Sequence, residues 1–201
     1  MRNLTFILLF SAFAVAGLPV NAQKLTASAK KVFVRHEDSL KAVADSMING
    51  ETAGKRFRSD SLFVRMLVRA LKNKNSFNYT FDSLPTISRL YAPDSTFRIF
   101  TWQMKKDDYM YLQKGAIQMR TQDGSLKLIP LTDQSMFTAK PQDSIRTRVN
   151  WIGAIYYKII QKTFNGKNYY TLLGYDDYSV GSNRKWMDVL SFNENGEPLF
   201  G

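Results

Sequence analysis

Residues 151–192 read WIGAIYYKIIQKTF, NGKN, YYTLLGY, DDYSVGSNR, KWMDVLSF: three apolar runs separated by turn signals. Asn165-Gly166 lies between two runs rich in Ile, Tyr and Leu. Asn-Gly suits a type I′ turn, whose two central residues both need positive φ. The stretch predicts three neighbouring antiparallel strands, the first two joined by this hairpin and the last two by a polar loop over residues 176–184. IYYKII, YYTLLGY and KWMDVL are apolar on both faces, so both sides of the sheet centre are expected to be covered.

Working back from there, the period-2 signal continues to about residue 77. Phe77, Tyr79 and Phe81 alternate with polar residues, and TISRLYA follows Pro85. In TFRIFTWQM, Phe100, Trp102 and Met104 share one face while Phe97 and Ile99 share the other. Lys105 to Asp108 is a turn, DYMYLQ returns, and AIQMR with LKLIPL forms a hairpin around Gln122-Asp123-Gly124. Pro130 places the last of these strands at an edge, because proline cannot donate to a ladder. TDQSMFTAKPQDSIRTR is the longest polar connection.

Before residue 75 the period is helical. Leu40, Val43, Ala44, Met47 and Ile48 predict a helix opening near His36 and stopping at Asn49-Gly50. ETAGKRFRS reads as a loop. Ser59 or Asp60 then caps a second helix with Leu62, Phe63, Met66, Leu67, Ala70 and Leu71 on one stripe and Asn73 as C-cap. The fold class is α+β: an N-terminal amphipathic helix pair packed on an antiparallel meander sheet of about seven to nine strands. The helices cover one side of the sheet. Curvature into a closed barrel, a ligand or a partner would cover the other.

Arg2 precedes an uncharged run from Leu4 to Ala16, Gly17 and Pro19 break it, and Val20-Asn21-Ala22 offers small side chains at the −3 and −1 positions of a cleavage site. This pattern predicts a secretory signal over residues 1–22, too short in its apolar run to span a bilayer. A flexible basic segment over 23–35 and one α+β domain over 36–201 would follow. The expected address is periplasmic or secreted. The 201 residues contain no Cys, which excludes disulfides, a thiolate nucleophile and a lipid-modified cysteine, so the fold must stand on its core.

The chain carries a net charge of +11, and residues 23–75 hold 12 basic against 5 acidic side chains. Lys55, Arg56, Arg58, Arg65, Arg69 and Lys72 form the densest group and are the candidate contact for an anionic envelope surface. Another envelope protein is the other candidate partner, and export argues against nucleic acid, although aromatics on a basic sheet can stack bases. Those aromatics, among them Trp102, Trp151, Tyr156 and Tyr170, are expected mainly as core and cross-strand pairs.

Catalytic signals are sparse. His36 is the sole histidine, so two-His metal motifs are excluded and a Ser-His-Asp triad would rest on one residue at a helix start. Asp107-Asp108 and Asp176-Asp177 are adjacent pairs where turns favour Asp, whereas glycosidase carboxyls face each other from different elements. The oxygen-rich loop 176–183 lacks the spacing of an EF-hand, and no cofactor is indicated.

YYTLLGYDD followed by RKWMDVLSFNENGEPLFG resembles the C-terminal region of a group of uncharacterised exported bacterial proteins, in which a hairpin ending in LLG precedes a D-V-L-x-F strand and G-x-P-x-F-G. The resemblance covers about Tyr156 to Gly201 and implies no activity and no functional residue. It also implies a chain continuing past Gly201, as does the short, unpaired return strand that SFNENGEPLF suggests. The leading functional expectation is a non-catalytic exported binding or interaction module working through its sheet. The alternatives are a carboxylate-based hydrolase of glycans or envelope polymers, and a structural envelope protein.

Overall fold

A computed structural model describes residues 25–138, 140–179 and 182–201; the expected signal segment lies outside them. The fold is α+β, with two helices packed on antiparallel sheets. Helix α1 spans Ala27–Asn49 and α2 spans Ala53–Leu71. Among the described residues nine strands follow: β1 (Ile87–Tyr91), β2 (Phe97–Lys105), β3 (Tyr111–Met119), β4 (Lys127–Thr132), β5 (Arg146–Thr147), β6 (Ile155–Phe164), β7 (Lys167–Ser179), β8 (Ser182–Phe192) and β9 (Pro198–Phe200). They form two sheets, β1-β2-β3-β4 and β5-β9-β8-β7-β6, rather than one meander, and neither closes into a barrel.

Both helices begin earlier than the apolar periodicity indicates. Thr26 accepts a hydrogen bond from the Ala29 amide (3.1 Å) and Thr52 from the Lys55 amide (3.2 Å), so each threonine caps its helix. Residues 25–35 are therefore mostly α1. Phe33 anchors them, fully buried and stacked on Tyr79 with ring centroids 5.0 Å apart. Asp60 is an interior residue of α2, facing the sheet, where Trp102 Nε1 donates to it at 3.3 Å. Asn73 acts from just past the helix end, donating to the carbonyls of Arg69 and Ala70.

Strand β2 has the two faces its sequence promises. Phe100, Trp102 and Met104 pack under the helices with Phe63, Leu67 and Leu71. Phe97 and Ile99 point the other way, into a second core with Tyr156, Tyr170, Leu172 and Leu190 from the five-stranded sheet and Trp151 from the β5–β6 connection. The molecule is thus three layers: helices, four-stranded sheet, five-stranded sheet. Pro130 lies on β4, an edge strand.

Phe77, Tyr79 and Phe81 are buried as their alternation suggests, yet they form no strand. Ser76–Asn78 is a 3-10 turn, and Phe81 has φ of 55°. The carbonyls of Ser76 and Tyr79 accept hydrogen bonds from the Arg98 guanidinium instead of from a neighbouring strand. A long side chain replaces the ladder, which alternation alone does not reveal.

In the five-stranded sheet the Asn165-Gly166 turn has φ values of 48° and 72°, as a type I′ turn requires. Strands β7 and β8 extend through most of the expected polar loop, pairing Asp176 with Arg184 and Ser179 with Ser182. Positions 180 and 181 lie outside the described residues. Strand β9 is not left with one neighbour: Phe200 pairs with Leu190 on one side and Arg146 on the other. Between the sheets, Trp151 Nε1 donates to Tyr156 Oη (2.9 Å), and Tyr156 Oη donates to Asp188 Oδ2 (2.6 Å). Arg146 Nη2 reaches Asp188 Oδ1 at 2.6 Å, so the buried carboxylate is satisfied from both sides.

Candidate functional site

Helical geometry lines up most of the basic group. Lys55, Arg58, Leu62, Arg65, Arg69 and Lys72 recur at alternating steps of three and four, which holds them on one face of α2 over about 26 Å. All six are exposed, opposite the stripe of Phe63, Leu67 and Leu71 buried on the sheet. Among the described residues none of the five cations makes an ion pair. The helix's own acid, Asp60, is buried on the other side and bonded to Lys114 at 3.4 Å. Phe57, Leu62 and Val64 add partly exposed apolar surface beside the stripe.

Arg56 does not belong to this surface. It is only 7% exposed, with Nε donating to the Lys105 carbonyl (2.6 Å), Nη1 to Gly50 (2.8 Å) and Nη2 to Lys106 (3.3 Å). It ties the end of α1 to the β2–β3 turn. The signal was available once α2 starts at Ala53: Arg56, Asp60, Phe63 and Leu67 share the inward face at steps of four, three and four.

The acidic pairs separate in the structure. Asp107 Oδ1 accepts the amides of Tyr109 (2.8 Å) and Met110 (2.9 Å), and Asp108 pairs with Lys105 at 3.0 Å, which is turn chemistry. Asp176 and Asp177 lie in β7 and reach the four-stranded sheet, accepting from Gln113 and Gln103 respectively. Burial, then the charge of Asp133, pushes the Asp176 carboxyl up to about 6. Sequence spacing concealed Asp133 as its neighbour, because the two meet only through packing of β7 beside the segment after β4. Asp176 is 2% exposed, which closes it to a polymer substrate. His36 lies within α1 with Nε2 3.3 Å from Asn73 Nδ2, a contact from the middle of α1 to the residue just past α2 and not part of a triad.

The aromatics divide. Trp102, Trp151, Tyr156 and Tyr170 are core, as expected. On the outer face of the five-stranded sheet, Met187 is 71% exposed, Phe164 67% and Tyr157 52%, with Ile160, Tyr175 and Val189 beside them. Lys158, Lys162 and Lys185 are interleaved with these side chains. The expectation that both sides of this sheet are covered is therefore not met by the described residues. No family model, curated protein or solved structure matches the chain, so what it binds has to be read from its own side chains.

Proposed function

We propose that the chain is exported and acts without catalysis as a binding module for an anionic envelope polymer, which it contacts through the solvent face of α2. The observation that carries this is the single file of Lys55, Arg58, Arg65, Arg69 and Lys72, none with a counter-ion among the described residues. A bilayer fits less well: an interfacial helix inserts its apolar face, and that of α2 is already buried on the sheet. The signal-like pattern at residues 1–22 supports export.

The test is titration with polygalacturonate at low ionic strength, with neutral dextran as control. Replacing the five cations by Gln should weaken binding about ten-fold or more, since exposed ionic contacts contribute a few tenths of a kcal/mol each and sum along a polymer. Wild-type binding should also fall steeply with salt. Equal binding by the variant, or equal binding of dextran, overturns the assignment. The alternative reading, a carboxylate-based hydrolase, is disfavoured by the burial of Asp176, which closes the Asp133–Asp176 pair to a polymer. It requires reducing ends to appear from the same polymer and to vanish in Asp176→Asn.

A further inference from the structure

Beyond the α2 stripe, one concave site gathers charged and polar groups around Arg120, whose side chain makes no hydrogen bond or ion pair among the described residues. A cleft of about 380 Å³ opens where the β1–β2 turn, the β3–β4 turn and the 3-10 turn at Ser76–Asn78 meet. That is within the size range of small-molecule sites, about 300–1,000 Å³. Its floor is the Phe77 ring, with two guanidinium groups against it: Cζ of Arg98 is 5.7 Å and Cζ of Arg120 5.6 Å from the centroid.

The two arginines differ in what they do. Arg98 is fully buried and spends its donors on Gln118, Tyr91 and the carbonyls of Ser76 and Tyr79, all uncharged. Its positive charge has no carboxylate bonded to it, although burial lowers its pKa to about 10, which leaves it charged at neutral pH. Arg120 lines the cleft, and among the described residues its side chain makes no ion pair or hydrogen bond, only the contact with Phe77. A cation–π contact uses the face of a guanidinium and leaves its in-plane N–H fork free, the geometry that grips a carboxylate.

The one acid lining the cleft makes no ion pair with this fork, its oxygens being taken by neutral donors. Asp94 Oδ1 accepts from Thr96 N (3.2 Å) and Thr96 Oγ1 (2.8 Å). Its Oδ2 accepts from Tyr170 (2.6 Å), Asn168 (3.2 Å) and Gln161 (3.4 Å) on the second sheet. The rim is also conformationally demanding. Asn75 and Ser95 hold positive φ of 62° and 57°, and a Cβ at Gly124 would fall 1.9 Å from Asn75 Oδ1. Sparsely populated backbone of this kind concentrates at ligand sites. Lys72 and Lys74 line a depression on the other side of the same β3–β4 turn, with Asp123 and Ser125, so the end of the α2 stripe adjoins the cleft.

We infer that this cleft is a subsite for one sugar carboxylate of an acidic glycan, with Arg120 as the clamp and the amides of Asn75 and Gln122 at hand for ring hydroxyls. The inference rests on the proposed polymer-binding role for its physiological ligand, but the cleft is testable alone. Trigalacturonate is too short to follow the α2 stripe and still fills the cleft.

Titrated calorimetrically, it should bind wild type, and Arg120→Gln should weaken it about ten-fold or more. Arg120→Lys, which keeps the charge but loses the fork, should recover only part of that. An α2 variant with Lys55, Arg58, Arg65 and Arg69 replaced by Gln, keeping Lys72 beside the cleft, should bind the trimer as wild type does. Loss of polymer binding in the α2 variant with trimer binding retained supports both assignments. Trimer binding lost in Arg120→Gln, with polymer binding indifferent to the α2 variant, leaves the cleft standing and the stripe refuted. The cleft is refuted if the trimer does not bind wild type at millimolar concentration, or if Arg120→Gln with an unchanged melting temperature binds it equally. Neutral maltotriose binding as tightly refutes it as well, and inorganic phosphate displacing the trimer at equal concentration would show a general oxyanion site, refuting the sugar assignment.

Discussion

Strand β2 and strands β6 to β8 look alike as sequence, being apolar on both faces, yet the structure treats them differently. Residues on both faces of β2 are enclosed, by the helices on one side and the second sheet on the other. The five-stranded sheet is enclosed on one side only, leaving Met187, Phe164 and Tyr157 in the open. The charges mark the distinction. Within β2 the one charge flanked on both sides is Arg98, and it is buried and bonded to neutral oxygens. Along β6, Lys158 and Lys162 bracket Ile160 on the same face, and Lys185 continues that face on β8. An apolar face with lysines interleaved along it is a surface, because a buried ammonium without a partner is prohibitive.

The largest effects should come from the doubly covered sheet. Phe97→Ala and Phe100→Ala each empty a site in a different core, and each should cost about 3–5 kcal/mol in chemical unfolding. Similar costs on the two sides would show that both layers fold with the central sheet as one unit. A cost below about 1 kcal/mol at Phe97 would mean that the five-stranded sheet is not packed against it as described.

A smaller effect, with a sign set by pH, is expected where the two sheets exchange polar contacts. The folded state raises the Asp176 carboxyl to about 6, above its ordinary value, so it holds a proton that the unfolded chain releases. Stability should therefore decline as pH rises from about 4 through 6, by an amount of order 2 kcal/mol from this group. Asp176→Asn mimics the protonated form. Relative to wild type it should be more stable at pH 8 and nearly equal at pH 4, measured as the difference between urea midpoints. An Asn variant that is equally destabilised at both pH values would show that Asp176 is needed as a carboxylate.

Much of this architecture was legible in the chain. The Asn165-Gly166 hairpin, the two faces of β2 and the edge position of Pro130 follow from turn chemistry and alternation. Arg65, Arg69 and Lys72 of the stripe are also legible from helical spacing, whereas Lys55 and Arg58 join it only because α2 starts at Ala53 inside the expected loop. The division into two sheets was not, because β5 is only Arg146–Thr147 and its pairing with β9 is set by the ends of a long connection. Residues 77–81 misled for a related reason: burial follows side-chain alternation, but the backbone is satisfied by Arg98, far along the chain. The Arg120 cleft was hidden for the same cause. It is built from three turns around Asn75, Asp94 and Gln122 that become neighbours only after the strands pair.

The smallest expected effect tests the comparison most directly. Met187 stands on the outer face of β8, paired in register with Leu173 on β7, and Phe164 ends β6 on the same face. Each keeps about two-thirds of its surface in water, so little transfer free energy is at stake when it is shortened. Met187→Ser and Phe164→Ser should each change stability by no more than about 0.5 kcal/mol, the range of ordinary surface substitutions. Their combination should add, because they stand on β8 and β6, which β7 separates. A loss of about 2 kcal/mol or more at Met187 would place that side chain in a packed layer, and the two sheets would then be equally enclosed. With the loss confined below 0.5 kcal/mol, the lysine-flanked face is free surface, and two-faced apolarity in a strand is shown to need the charge pattern beside it before it can be read as burial.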